Sequence, residues 1–338
     1  MKANNDPAIE RSYALRMPAH WQPPVPAWSS SFEESQTGVS MAVIGLQHRD
    51  FVDMAVHRQT LFEALQGAEI RDLVTSDAGG GYQETFCIAY WRDATSAEAT
   101  LSGAQFAKFW QTHKDAGEFG LIKECINVPF QRTETLFSGP EHKHGYSQMR
   151  TGAVGPIQQH QYWGGMRDRI ALSAHDRLNA GSTSEALMPA ANHIVIEPQE
   201  NLCIIRSGQD WSACDAEQLS EYTDMIEPTL NEGMNFLRDE GASVHCYSCR
   251  YMKDFELDGS MTKRSCGLAY FRTMEDLENW AEHHPSHLKI FHTFLSIAPK
   301  HGPNLQLRLW HEVSVLPSEG CRAEYINCRP GTGWTAIQ

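Results

Sequence analysis

The sequence predicts an α+β protein made of two ferredoxin-like repeats, each β-α-β-β-α-β, with facing antiparallel sheets. Three observations predict it. The segment Ile88-Ala89-Tyr90-Trp91-Arg92 returns 180 residues later as Leu268-Ala269-Tyr270-Phe271-Arg272. Each copy is a short apolar strand that leads into a helical pattern, and each has a strand and a helix upstream and another strand downstream. The 338 residues, 41 % hydrophobic and 21 % charged, are enough for two such halves.

The elements follow in order. Residues 1–40 form an N-terminal arm, extended at Pro23-Pro24-Val25-Pro26. The first half, 41–139, opens on a strand at 41–47 and a helix at about 52–65. After the strand at 88–92 come a helix over 96–113 and a last strand over 126–137. A Gly/His-rich stretch, 140–156, begins a connecting segment, 140–199, that belongs to neither half. The second half, 200–317, repeats the plan with strands at 202–207, 243–252, 268–272 and 305–316. Its helices lie at 213–238 and from Met274 onward, where Glu275 and Asp276 suit the helix N-terminus. Residues 318–338 close the chain.

Composition excludes some functions. Forty-two acidic against 28 basic residues give a net charge of −14, which argues against nucleic-acid binding. No apolar run reaches the roughly 18 residues that span a bilayer, and the N-terminal residues carry no secretory apolar core. Nine scattered cysteines suit a reducing cytoplasm. Cys246-Tyr247-Ser248-Cys249 has CxxC spacing, but it lies in a strand and no second pair completes a zinc site.

Two histidines stand out. Alternation along 305–315 places Leu305, Leu307, Leu309, Val313 and Val315 on one face with His311 among them. An unpartnered imidazole there would cost roughly 1–3 kcal/mol. It is either satisfied by a backbone carbonyl or kept for chemistry. His283 and His287 have zinc-pair spacing, but Pro285 breaks the helix between them. A new helix starts at Pro285 and puts His287, Ile290, Phe291, Phe294, Leu295 and Ala298 on one side. A neutral imidazole heading an aromatic stripe suits an axial haem ligand, although a helix-start histidine bonded to nearby backbone is the commoner case. Set on the repeat, His287 stands where the first half has Ala107, and His311, at an offset of 179, where it has Arg132. Rings, paired glycines and two arginines in Tyr162-Trp163-Gly164-Gly165-Met166-Arg167-Asp168-Arg169 suggest backbone close to a ligand, or else a turn with a surface ion pair. Ser207 shares a strand face with Cys203 and Ile205.

Several blocks together resemble the haem-dependent aldoxime dehydratase family (phenylacetaldoxime dehydratase-like). They are 162–169, Ile205-Arg206-Ser207-Gly208-Gln209-Asp210-Trp211, His284-Pro285-Ser286-His287-Leu288, 307–315, Glu324-Tyr325-Ile326-Asn327-Cys328 and Pro330-Gly331-Thr332-Gly333. The resemblance implies dehydration of aldoximes, R–CH=N–OH, to nitriles on haem b, ferrous in the active state, with the substrate nitrogen on the iron. It implies His287 as proximal iron ligand, His311 as general acid and base, Arg169 and Ser207 as distal groups, and Glu134 on the distal side. It further implies a homodimer, a dimeric α+β barrel-like assembly acting on a small-molecule aldoxime, with the connecting segment 140–199 contributing to the distal pocket. Composition adds the expectation of a cytoplasmic protein with no nucleic-acid or membrane partner. Trp28, Phe291 and Phe294 are pocket-wall candidates. Trp310, Gly165, Gln161, Ala27 and Arg329 depart from the family pattern and bear on substrate preference. Three alternatives stand beside this reading. A haem sensor or carrier would need His287 alone, a peroxidase-like haem enzyme would need an oxidant, and a ferredoxin-like oxygenase would need no cofactor.

Overall fold

A computed structural model describes residues 10–49, 52–182 and 192–337. Two short strands, β1 (Ser29–Ser31) and, much later, β7 (Gly152–Val154), pair with each other away from the main sheet. The first half begins with β2 (Gly38–Arg49), which is buried on both faces. Val39, Met41 and Val43 point to one side, and Ala42, Ile44 and Leu46 to the other. There follow α1 (Ala55–Ala64), β3 (Ile70–Gly79), β4 (Tyr82–Trp91), α2 (Ala94–Leu101), α3 (Ala104–Ala116) and β5 (Gly120–Pro129). The single helix expected over 96–113 is two. Asp93 caps α2 by accepting from the Ser96 amide at 2.8 Å, and the chain breaks at Ser102-Gly103, where extended Gly103 starts α3.

The strand expected over 126–137 is also two. β5 ends at Pro129, a turn covers Phe130–Arg132, and β6 (Thr133–Phe137) leaves the first half to pair with the last strand of the second. The connecting segment contains α4 (Gly165–Arg169) and β8 (His193–Ile196). The second half runs β9 (Leu202–Asp210), α5 (Ala216–Glu221), a widened π turn at Tyr222–Ile226, α6 (Glu227–Asp239), β10 (Cys246–Phe255), β11 (Met261–Phe271), α7 (Met274–His283), α8 (Pro285–His301) and β12 (Arg308–Leu316). β13 (Arg322–Ile326) then pairs with β5 and β8.

Numbered within each half, the four main strands lie in the order 4-1-3-2: β5-β2-β4-β3 and β12-β9-β11-β10. The expectation of two separate sheets is corrected here. The edges β3 and β10 pair with each other, Met252 opposite Ser76, and join everything into one antiparallel sheet of 11 strands. Unpaired edge amides and carbonyls drive that joining. The sheet curls, so its inner face forms one core with residues from both halves, among them Val43, Ile122, Leu268 and Met252. The helices cover the outer faces, where Leu61 and Phe109 pack on the first half and Leu277 and Trp280 on the second. Ion pairs cross the inner core, the buried Arg250 to Glu84 and Glu124, and buried Arg206 to half-buried Asp72.

The stripe read over 305–315 is only partly a strand. β12 starts at Arg308, and Leu305 and Leu307 belong to a separate cluster with Tyr222 and Ile226. Both faces of β12 are covered. Val313 and Val315 share the outer face with His311, while Trp310, Glu312 and Leu316 take the inner one.

Candidate active site on the outer face of the second half

Four strands bring the site together by register alone. Leu136, His311, Ser207 and Gly267 are successive partners across β6, β12, β9 and β11. The next row on the same face is Glu134, Val313, Ile205 and Ala269. Glu134 therefore stands diagonal to His311, and its Oε1 lies 2.9 Å from His311 Nε2. The register also corrects the repeat: Cys87 faces Ile44, which faces Lys123, as Gly267 faces Ser207 and His311. Lys123, not Arg132, is the first-half counterpart of His311. Arg132 lies in the turn after β5 and binds Asn201 and Glu200.

Arg169 enters from the end of α4. Its Nε donates to Glu134 Oε2 at 2.7 Å, its Nη1 to the Gln159 carbonyl at 2.5 Å, and its Nη2 lies 2.9 Å from His311 Nε2. The helix that carries it is held on both sides. The Asp168 carboxylate accepts from the Arg16 and Met17 amides and from the Tyr162 hydroxyl at 2.7 Å, while Arg167 grips Glu278 of α7 at 2.8 Å. The tight start of α4 needs glycine. Gly164 has φ +96°, and a Cβ there would meet the Arg16 side chain at 2.5 Å. The surface-pair reading of this segment is thus replaced by buried anchoring of α4.

His311 Nε2 has two neighbours and one position for a hydrogen. As a neutral ring protonated on Nδ1 it accepts from Arg169, and with Nε2 protonated it faces the Glu134 carboxylate. Burial pushes the Glu134 carboxyl up, but Arg169 and His311 outweigh it and hold the group below the usual carboxylate range. Beside them Ser207 is half-buried, and among the described residues its Oγ makes no hydrogen bond to protein. Gly267 keeps the floor flat, since a Cβ there would come within 2.9 Å of Met234 Sδ on α6.

His287 is placed separately, at the start of α8. Its Nδ1 lies 2.7 Å from the Ala281 carbonyl, so Nδ1–H donates and Nε2 keeps its lone pair. Burial lowers its pKa, which keeps the ring neutral. Trp280 and Trp163 approach it edge-on at 4.7 and 6.0 Å. A neutral imidazole with a fixed tautomer, one free nitrogen and aromatic neighbours fits an axial haem ligand. His283 is exposed on α7, across the helix break. Phe291 packs on Trp163 at 5.4 Å, whereas Phe294 belongs to the cluster with Tyr222 and Leu307. Trp28 pairs its backbone with Phe137 at the free edge of β6, with its ring against Gly155.

The family profile described as haem-containing dehydratase matches residues 42–334. The chain belongs to the haem-containing dehydratase family. It is 34 % identical over 333 residues to an aliphatic aldoxime dehydratase of Pseudomonas chlororaphis, covering 96 % of this chain and 94 % of that one. Similarity to a phenylacetaldoxime dehydratase of Bacillus sp. (strain OxB-1) is 30 % over 328 residues, 94 % of this chain and 93 % of the other. A crystal structure of an aldoxime dehydratase in complex with butyraldoxime matches with a TM-score of 0.91 at 31 % identity, covering 99 % of this chain and 96 % of that one. This haem-containing dehydratase is accordingly an enzyme of the lyase class with a mixed α+β fold. Its sequence left three neighbours of the site unsignalled, namely Gln159, Leu136 and Met234, whereas Trp163 stood in the block read as lying close to a ligand.

Proposed function

We propose that this dehydratase converts aldoximes to nitriles with loss of water, and that His311 is its general acid and base. One observation carries the reading. His311 Nε2 lies 2.9 Å from both Arg169 and Glu134, on the sheet face where Ser207 offers an unpaired hydroxyl. The butyraldoxime bound by the relative of 0.91 TM-score supports an aldoxime substrate.

Removing water from R–CH=N–OH needs a proton on the departing oxygen, because hydroxide leaves poorly. Imidazole is the side chain whose ordinary pKa lies nearest neutrality, so His311 as imidazolium suits that donation. Arg169 Nη2 and Ser207 Oγ would hold the oxime oxygen within reach of it. The imidazole left neutral then takes the carbon-bound proton, and R–C≡N and water leave with no net redox change. Glu134, kept ionised, balances Arg169 and the imidazolium. Ferrous haem b, held by His287 Nε2, would supply an iron for the oxime nitrogen and electron density for the N–O bond.

The same reading takes residues 41–139 and 200–317 as ferredoxin-like halves, which the 4-1-3-2 order of each supports. It takes the protein as a homodimer of the cytoplasm, where nine free cysteines are at home. The test is an anaerobic assay of reduced protein with butyraldoxime and phenylacetaldoxime. Nitrile formed without added oxidant is expected, and its absence with both substrates overturns the proposal.

A further inference from the structure

Glu312 follows His311 in β12 but points to the opposite, inner face, where it is 5 % exposed and the dehydration has no use for it. We propose that Glu312 is a positioning residue that acts through Tyr146 on the strand presenting Glu134 to His311. The inference rests on the role of His311 set out above.

The contacts form a chain. Glu312 Oε1 accepts from the Tyr90 hydroxyl of the first half, and Oε2 accepts from the Tyr146 amide at 3.1 Å. The Tyr146 hydroxyl donates to the backbone carbonyl of Glu134 at 3.1 Å. Gly145 lets the turn close on the carboxyl. It has φ +53°, and a Cβ there would lie 2.2 Å from Glu312 Oε2.

The other half supplies the contrast. Ile88 faces Val43, which faces Glu124, just as Leu268 faces Arg206, which faces Glu312. Glu124 is therefore the counterpart of Glu312, and each takes a tyrosine hydroxyl from the opposite half, Tyr270 and Tyr90 respectively. Arg250 clasps Glu124 through two hydrogen bonds. Among the described residues Glu312 has no ion pair, and the Tyr146 amide takes that place. The half that carries His311 has a link to the segment that reaches Glu134 where the other half has a salt bridge.

The test compares Tyr146→Phe, Glu312→Leu and Glu312→Gln as purified holoenzymes, with turnover counted per bound haem. The first two should lose kcat about fivefold, the weight of one hydrogen bond, with KM within about twofold. Amide hydrogen exchange in β6 should quicken in both. Glu312→Gln keeps an acceptor for the Tyr146 amide and should restore kcat to within about twofold. A structural role alone would lower the yield of haem-loaded protein and leave kcat per haem and β6 exchange unchanged, which overturns the proposal. Should Glu312→Leu fail to fold, Tyr146→Phe decides, because it keeps the ring and the Tyr146 amide bond. His311→Ala runs in parallel. Wild-type turnover there overturns the reaction scheme itself, whereas an inactive His311→Ala beside a wild-type-like Tyr146→Phe overturns only the role of Glu312.

Discussion

The Glu134 carboxylate and the Arg169 guanidinium meet at 2.7 Å with side chains 1 % and 2 % exposed. A pair this deep is held by its own completeness, because either charge alone would be stranded out of water. Glu134→Gln keeps the shape and removes the charge, and should cost about 3–5 kcal/mol. Denaturant unfolding at neutral pH measures it. A loss below about 1 kcal/mol would mean that the pair opens to water.

Two buried carboxyls should give opposite responses to pH. Glu134 is held below its ordinary range, so its contribution is present above the unfolded pKa and fades as pH falls through the folded one. Glu312 is pushed up to about 7, chiefly by burial and against the pull of Arg206. Stability tied to its neutral form is full below the ordinary carboxylate pKa and is lost as pH rises through about 7. Glu312→Gln should therefore flatten the stability profile between about pH 4.5 and 7 relative to wild type. Urea unfolding at several pH values across that window checks it, and parallel profiles would refute it.

His311→Ala should keep the haem spectrum and lower kcat by ~10²–10⁴, the range for losing a general acid. His287→Ala should do the reverse in kind, with haem occupancy lost or the ferrous spectrum altered. An unchanged spectrum in His287→Ala would assign the iron to another ligand.

How much of this was legible follows from how far each signal reaches along the chain. The helix start at Pro285 and the shared face of Cys203, Ile205 and Ser207 are local, and both stand as read. The break at Gly103 was equally local but was hidden by a helical pattern that resumes on the far side. Register between distant strands leaves no local trace. Nothing in Thr133–Phe137 says that it abandons β5 for β12, yet that crossing brings Glu134 beside His311. A constant sequence offset likewise points to Arg132 rather than Lys123, because it does not register the turn at Phe130–Arg132, and the apolar stripe of β12 marks the His311 face but not the inner face that carries Glu312.

Arg169→Lys tests whether the site needs a fork or only a charge. The guanidinium makes contacts in three directions, to Glu134 Oε2, to the Gln159 carbonyl and to His311 Nε2. A lysine ammonium has three donors but no plane, and its stem cannot hold all three acceptors in that geometry. It should keep the ion pair with Glu134 and so most of the stability. The contact to His311 should go, because one ammonium nitrogen replaces the separate Nε and Nη2 donors that serve Glu134 and His311. The expected result is a stability loss of about 1 kcal/mol or less together with a kcat at least ~10-fold lower, the positioning effect of one misplaced donor. Thermal unfolding and steady-state kinetics with butyraldoxime separate the two quantities. Wild-type kcat in Arg169→Lys would show that charge alone suffices, and the three-way fork would then be a matter of folding rather than of catalysis.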